Sequence, residues 1–128
     1  MASKPQSPKR ILVVEDDPEL LEMIRRMLAP LGEVVTAGNG AEALARLERD
    51  SRFDLVVTDL MMPEMDGLTL AQRMKAAPAL ARIPVVMLTA KNRPGDVIAG
   101  INAGARHYVT KPFKQQELLD KVQRALGV

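Results

Sequence analysis

The sequence predicts an α/β domain: a five-stranded parallel sheet, doubly wound, with helices on both faces. Three observations predict it. Five short runs of β-branched and other apolar residues recur along the chain, with amphipathic stretches of helical period between them. Most of the runs are apolar continuously rather than alternately, as in a strand covered on both faces. Strands that alternate with single helices imply right-handed crossovers and hence parallel neighbours.

The first run is Ile11–Val14, and it ends in Glu15-Asp16-Asp17. Residues 18–29 follow as a helix, with Leu20, Ile24, Met27 and Leu28 on one face, Asp17 as cap and Pro18 in the first turn. Gly32 stops it, and Glu33–Ala37 is the second run. Residues 40–50 turn Leu44 and Leu47 inward and Glu42, Arg46 and Glu48 outward, behind an Asn39 cap. The third run, Leu55–Thr58, meets Asp59. Asp66-Gly67 makes a turn and starts a helix over 67–76, where Leu70, Ala71 and Met74 share a face. Ile83–Leu88 is the fourth run, followed by Thr89-Ala90. Residues 95–103 are the least marked helix, because Gly100 lowers its propensity. His107–Thr110 is the last run and reaches Lys111-Pro112. A final helix over about 114–126 sets Leu118, Leu119, Val122 and Leu126 opposite Lys114, Gln115, Lys121 and Arg124.

Bulk properties narrow the function classes. The 128 residues suit one domain, with residues 1–8 read as a flexible tail and 9–128 as the folded unit. Eighteen basic and sixteen acidic side chains leave a formal charge of +2, too balanced to argue for nucleic acid or a membrane surface. The absence of cysteine excludes disulfides and thiolate metal sites and fits a cytoplasmic location. No apolar run approaches the ~20 residues of a membrane span. The methionines other than Met61 read as core filler, and the single histidine, His107, as an inert surface residue.

The chemistry lies at the strand ends, because open α/β sheets bind ligands beyond the carboxyl ends of their strands. Glu15 and Asp16 end the first strand, Asp59 the third, Thr89 the fourth and Lys111 the fifth. Taken alone, Asp59 reads as a cap or turn residue; its company at the other strand ends changes that. Crowded carboxylates repel unless a cation sits among them, and an all-oxygen set favours Mg²⁺, with Mn²⁺ as the alternative. An ammonium and a hydroxyl opposite them make a pocket for a phosphoryl group, in which an aspartate can act as nucleophile. Asp17 is assigned to the helix cap and left out of the site.

Four segments, ILVVEDDP, FDLVVTDLMMPEMDG, IPVVMLTA and YVTKPF, occur in this order over residues 9–127. In that order and spacing the chain resembles the CheY-like receiver domain of bacterial response regulators. The resemblance implies a flavodoxin-like sheet of order 2-1-3-4-5 and a phosphorylatable module of two-component or phosphorelay signalling, not an enzyme with a separate substrate. It makes Asp59 the phosphoacceptor and places Glu15, Asp16, Asp59 and the Met61 carbonyl around the metal. Thr89 and Lys111 become the switch hydroxyl and the phosphate-pairing lysine, and Tyr108 the switch aromatic. Lys111-Pro112 matches a peptide bond that is usually cis, and Gly67 completes the structural positions. The implied partners are a sensor histidine kinase or histidine phosphotransfer protein and a downstream protein target, with no nucleic acid and no membrane.

Two departures from the family pattern carry expectations. Met61 and Lys91 replace polar or acidic side chains that orient water, which implies slow self-hydrolysis of the phosphoryl group. Arg106 and His107 stand before Tyr108 where the OmpR-type transcription-factor branch carries acidic residues, which argues against that dimer. Two other readings compete. A Mg²⁺-dependent aspartate phosphatase needs a second Asp where Met61 stands and a cap that the chain has no length for. A degenerate receiver acting without phosphorylation is disfavoured by the complete set Glu15, Asp16, Asp59, Thr89 and Lys111. A stand-alone regulator and the receiver part of a longer one are both compatible with the sequence.

Overall fold

The computed structural model describes residues 9–62, 64–90, 95, 98, 102 and 104–127. Five strands, β1 (Lys9–Val14), β2 (Gly32–Ala37), β3 (Leu55–Asp59), β4 (Val85–Ala90) and β5 (His107–Lys111), form one parallel sheet of order β2-β1-β3-β4-β5. Among the described residues four α-helices are delimited: α1 (Pro18–Leu28), α2 (Gly40–Arg49), α3 (Gly67–Ala76) and α4 (Gln115–Leu126). None of the described helices is long and apolar enough to cross a membrane.

Strand alternation sorts the core into two layers, because successive side chains leave a strand on opposite faces. Leu12, Val14, Val56, Val85 and Met87 point to one face, where α2 and α3 cover them with Ala43, Leu47, Leu70, Ala71 and Met74. Ile11, Val13, Leu55, Val57, Val86, Leu88 and Val109 point to the other, under Ile24 and Leu28 of α1 and Leu118, Val122, Ala125 and Leu126 of α4. Each fully buried aliphatic side chain contributes about 1.5–3 kcal/mol. The expected inward faces of α1, α3 and α4 pack on the sheet, with Leu20, Met27 and Leu119 half-buried at their margins, and in α2 Leu47 is buried while Leu44 is half-buried.

The caps follow their chemistry. The Asp17 carboxylate accepts from the Glu19 and Leu20 amides, Asn39 from that of Glu42 and Asp66 from that of Thr69. The fourth strand differs from expectation: it runs Val85–Ala90, two residues later than Ile83–Leu88. Pro84 has no N–H for a ladder, and the Ile83 amide closes a turn on the Leu80 carbonyl at 3.1 Å. Thr89 and Ala90 therefore lie within the strand, paired with Thr110 and Lys111. The methionines also divide: Met62, Met74 and Met87 are core, whereas Met23 and Met61 are exposed. His107 is half-buried rather than a surface residue. Of the helix expected over 95–103, Gly95, Ile98 and Asn102 are helical, and the rest lies outside the described residues, as do Lys91 and the tail 1–8.

Candidate functional site

β1 and β3 are neighbours in the sheet and parallel, so their last residues emerge side by side. That places Glu15, Asp16 and Asp59 together, each offering a carboxylate oxygen, with these oxygens all within 4.8 Å of one another. Two strands further along, β5 ends at Lys111, whose long side chain reaches back across the carboxyl edge. Its ammonium lies 3.0 Å from Glu15 Oε1 and 3.0 Å from Asp59 Oδ2. Three carboxylates against one ammonium leave the cluster a formal −2 when all are ionised.

Glu15 is only 2% exposed. Burial pushes its carboxyl above the usual carboxylate range, although the Asp17 amide donates to Oε2 at 3.1 Å and Lys111 donates to Oε1. Lys111 is partly buried, which by itself would favour the neutral amine. Its contacts with Glu15 and Asp59 outweigh that and hold it above the ordinary lysine value. The ammonium is thus a fixed positive charge that partly offsets the crowded acids. An oxygen-only donor set with residual negative charge and no sulfur or imidazole fits a hard divalent cation.

Asp59 is held from behind by backbone packing. The Thr58 hydroxyl donates to its carbonyl at 3.0 Å, and α3 begins hard against it. A Cβ on Gly67 would lie 2.3 Å from that carbonyl oxygen and 3.0 Å from Met87 Sδ, so only glycine fits there. Met61, just past the strand end, is 51% exposed.

Thr89 is 2% exposed, one residue short of the end of β4. Tyr108, on β5, is half-buried and packs on the core layer beneath α2 and α3; its hydroxyl donates to the Ala105 carbonyl at 3.3 Å. Burial raises the Tyr108 phenol. The Lys111-Pro112 peptide bond is cis. The structure therefore brings Glu15, Asp16, Asp59 and Lys111 into one cluster and sets Tyr108 on the neighbouring face of β5. Sequence reasoning assigned Asp17 to its cap alone and missed that its amide also holds Glu15. The local signal was there, since an acid two residues before a helix-capping aspartate is within reach of that residue's N–H.

The response regulator receiver domain family matches residues 11–123. The DNA-binding response regulator MtrA of Mycolicibacterium smegmatis is 43% identical over 119 residues, which cover 92% of this chain and 50% of that protein. Chemotaxis protein CheY1 of Helicobacter pylori is 34% identical over 120 residues, 92% of this chain and 97% of that one. The chain thus spans about half the length of the MtrA proteins it matches and nearly all of CheY1. Among solved structures, a response regulator from Chloroflexus aurantiacus superposes with a TM-score of 0.89 at 36% identity, covering 95% of this chain and all of that one. Chemotaxis protein CheY4 of Vibrio cholerae gives 0.86 at 32% identity, covering 94% and 100%. Parallel order 2-1-3-4-5, an acidic cluster at its carboxyl edge and a family match over most of the length lead to one conclusion: the chain belongs to the response regulator receiver domain family of two-component signalling.

Proposed function

We propose that this chain accepts a phosphoryl group onto Asp59 from the phosphohistidine of a sensor kinase or phosphotransfer protein, in a Mg²⁺-dependent reaction, and that this shifts its output surface. The observation that carries the reading is the Lys111 ammonium held 3.0 Å from both Glu15 and Asp59, beside a three-carboxylate cluster at the sheet's carboxyl edge. In the reaction an Asp59 oxygen attacks phosphorus, the P–N bond to the donor imidazole breaks with its electron pair going to nitrogen, and an acyl phosphate results. Lys111 is already in position to pair with a phosphoryl oxygen, exchanging its contact with Asp59 for one with the transferred group. Glu15, Asp16, Asp59 and the Met61 carbonyl are the groups that would hold Mg²⁺. When bound, the ion screens the approach of an anionic phosphoryl donor to a carboxylate. Thr89 supplies a hydroxyl from β4, and Tyr108 is the aromatic whose packing follows it. Signalling is then a population shift between two arrangements of the β4–β5 side of the molecule.

Met61 presents an exposed thioether beside Asp59 where a water-orienting polar group would hasten hydrolysis. The phosphorylated form is accordingly long-lived. The deciding experiment is incubation with acetyl phosphate or phosphoramidate and Mg²⁺, followed by intact mass. The wild type should gain about 80 Da and Asp59→Asn should gain nothing. An adduct on both proteins, or on neither, refutes the assignment.

A further inference from the structure

The segment from Leu60 to Asp66 carries Met61 away from the end of β3 and returns to start α3. It is closed at its base, where the Gly67 amide donates to the Leu60 carbonyl at 2.9 Å. A second attachment comes from outside it. Gly40, the first residue of α2, donates its amide to the Met65 carbonyl at 3.1 Å. The first amides of a helix have no partner within it and go to caps, water or ligands; this one goes to the segment that follows Asp59.

The fit is close. A Cβ on Gly40 would lie 2.4 Å from the Met65 carbonyl oxygen, 2.9 Å from Met65 Cγ and 3.0 Å from Met65 C. Two of these three atoms are backbone, so a rotamer change does not relieve the clash. The start of α2 cannot easily retreat either. Asn39 Oδ1 accepts from the Glu42 amide at 2.8 Å, and Glu42 Oε2 accepts from the Gly38 amide at 2.6 Å. Beside Met65, Glu64 sits at φ 65°, a left-handed conformation that a residue with a Cβ keeps only when its surroundings impose it. Leu60 and Met65 are thus each tied by a backbone hydrogen bond, and Glu64 is held in a sparsely populated conformation.

We infer that Gly40 is a positioning residue of the Asp59 site: its amide and its missing side chain seat Met65, and so fix how the Met61 end of the same segment lies beside Asp59. The inference rests on the reading of the site given above. Coupling of this kind is reciprocal, so a cation bound at the site must in turn tighten the Gly40–Met65 contact.

The test compares Mg²⁺ titrations of the wild type, Gly40→Ala and Gly32→Ala by NMR, with thermal unfolding of each. Gly32→Ala is the matched control, since its Cβ would lie 2.2 Å from the Lys9 carbonyl oxygen at the opposite, amino-terminal edge of the sheet. Gly40→Ala should weaken Mg²⁺ binding about tenfold, the effect of disturbing a group that orients ligands. Gly32→Ala should unfold at a lower temperature yet bind Mg²⁺ within about twofold of wild type, as a distant and independent site does. In the wild type, Mg²⁺ should slow hydrogen exchange at the Gly40 amide, a readout that needs no variant to fold. Unchanged affinity in Gly40→Ala overturns this inference alone. Equal losses in both variants, or Gly40 exchange indifferent to Mg²⁺, overturn it too. A wild type that binds no Mg²⁺ overturns the reading of the site and this inference with it.

Discussion

Replacing Lys111 by methionine removes the ammonium that contacts Glu15 and Asp59 while keeping a side chain of similar length. At 3.0 Å each contact has a gross Coulomb attraction of about 5 kcal/mol at an effective dielectric near 20. Desolvation of the ions cancels much of it. Breaking a buried pair costs about 3–5 kcal/mol and an exposed one about 0–1. Here the carboxylates are buried and the ammonium is 27% exposed, so the change should cost about 2 kcal/mol. For a domain of this size that lowers Tm by roughly 7 °C. The assay is urea unfolding followed by circular dichroism, with EDTA and then with saturating Mg²⁺. The deficit should be full in EDTA and should shrink with Mg²⁺, because ammonium and cation neutralise the same acids and the variant gains more from the ion. A variant within about 0.5 kcal/mol of wild type in EDTA, or a deficit that Mg²⁺ leaves untouched, would refute the argument that Lys111 offsets this cluster.

Three further outcomes are expected. Arg10 reaches Asp50 at 3.0 Å, the Arg52 carbonyl at 2.8 Å and the face of Phe53 at 4.3 Å, so Arg10→Ala should cost about 2 kcal/mol in urea unfolding, and Arg10→Lys, which loses the planar fork, about half as much. Glu22 is lowered to about 2 by its hydrogen bonds with Arg25 and then Arg26. Its contribution is therefore present above 4.5 and lost as pH falls through about 2. The difference in urea midpoint between wild type and Glu22→Gln should follow that window and fade in ~1 M NaCl, whereas a pH-independent difference would exclude the ion pair as its source. The acyl phosphate on the isolated protein should persist for minutes or longer by intact mass, and Met61→Asn or Met61→Glu should shorten its life; decay of the wild type within seconds would end that reading.

Much of the molecule was legible because its signals are local. The inward faces of α1, α3 and α4 follow from spacing along one helix, and the Asp17, Asn39 and Asp66 caps from chemistry within three residues. The β4 boundary was misplaced for a long-range reason. Ile83 looks like a strand residue, but its amide turns back to Leu80 and Pro84 offers the ladder only its carbonyl, which accepts from the Val56 amide; β5 then sets the register that draws in Thr89 and Ala90. Met23 looks apolar enough for a core, yet its position on an outer helix face leaves it exposed.

By itself the sequence determined which residues stand at the strand ends, where each continuous apolar run gives way to a carboxylate, a hydroxyl or an amine. Residue spacing alone did not determine which of those ends meet; the family resemblance implied the order 2-1-3-4-5, and the sheet has it. Lateral strand order decides that β1 lies beside β3, and only that adjacency joins Glu15 and Asp16 to Asp59. Tertiary structure also decided that Lys111 bridges acids from two other strands and that a helix amide at Gly40 seats Met65. Such contacts depend on how separate segments pack, and residue spacing along the chain carries no record of that packing.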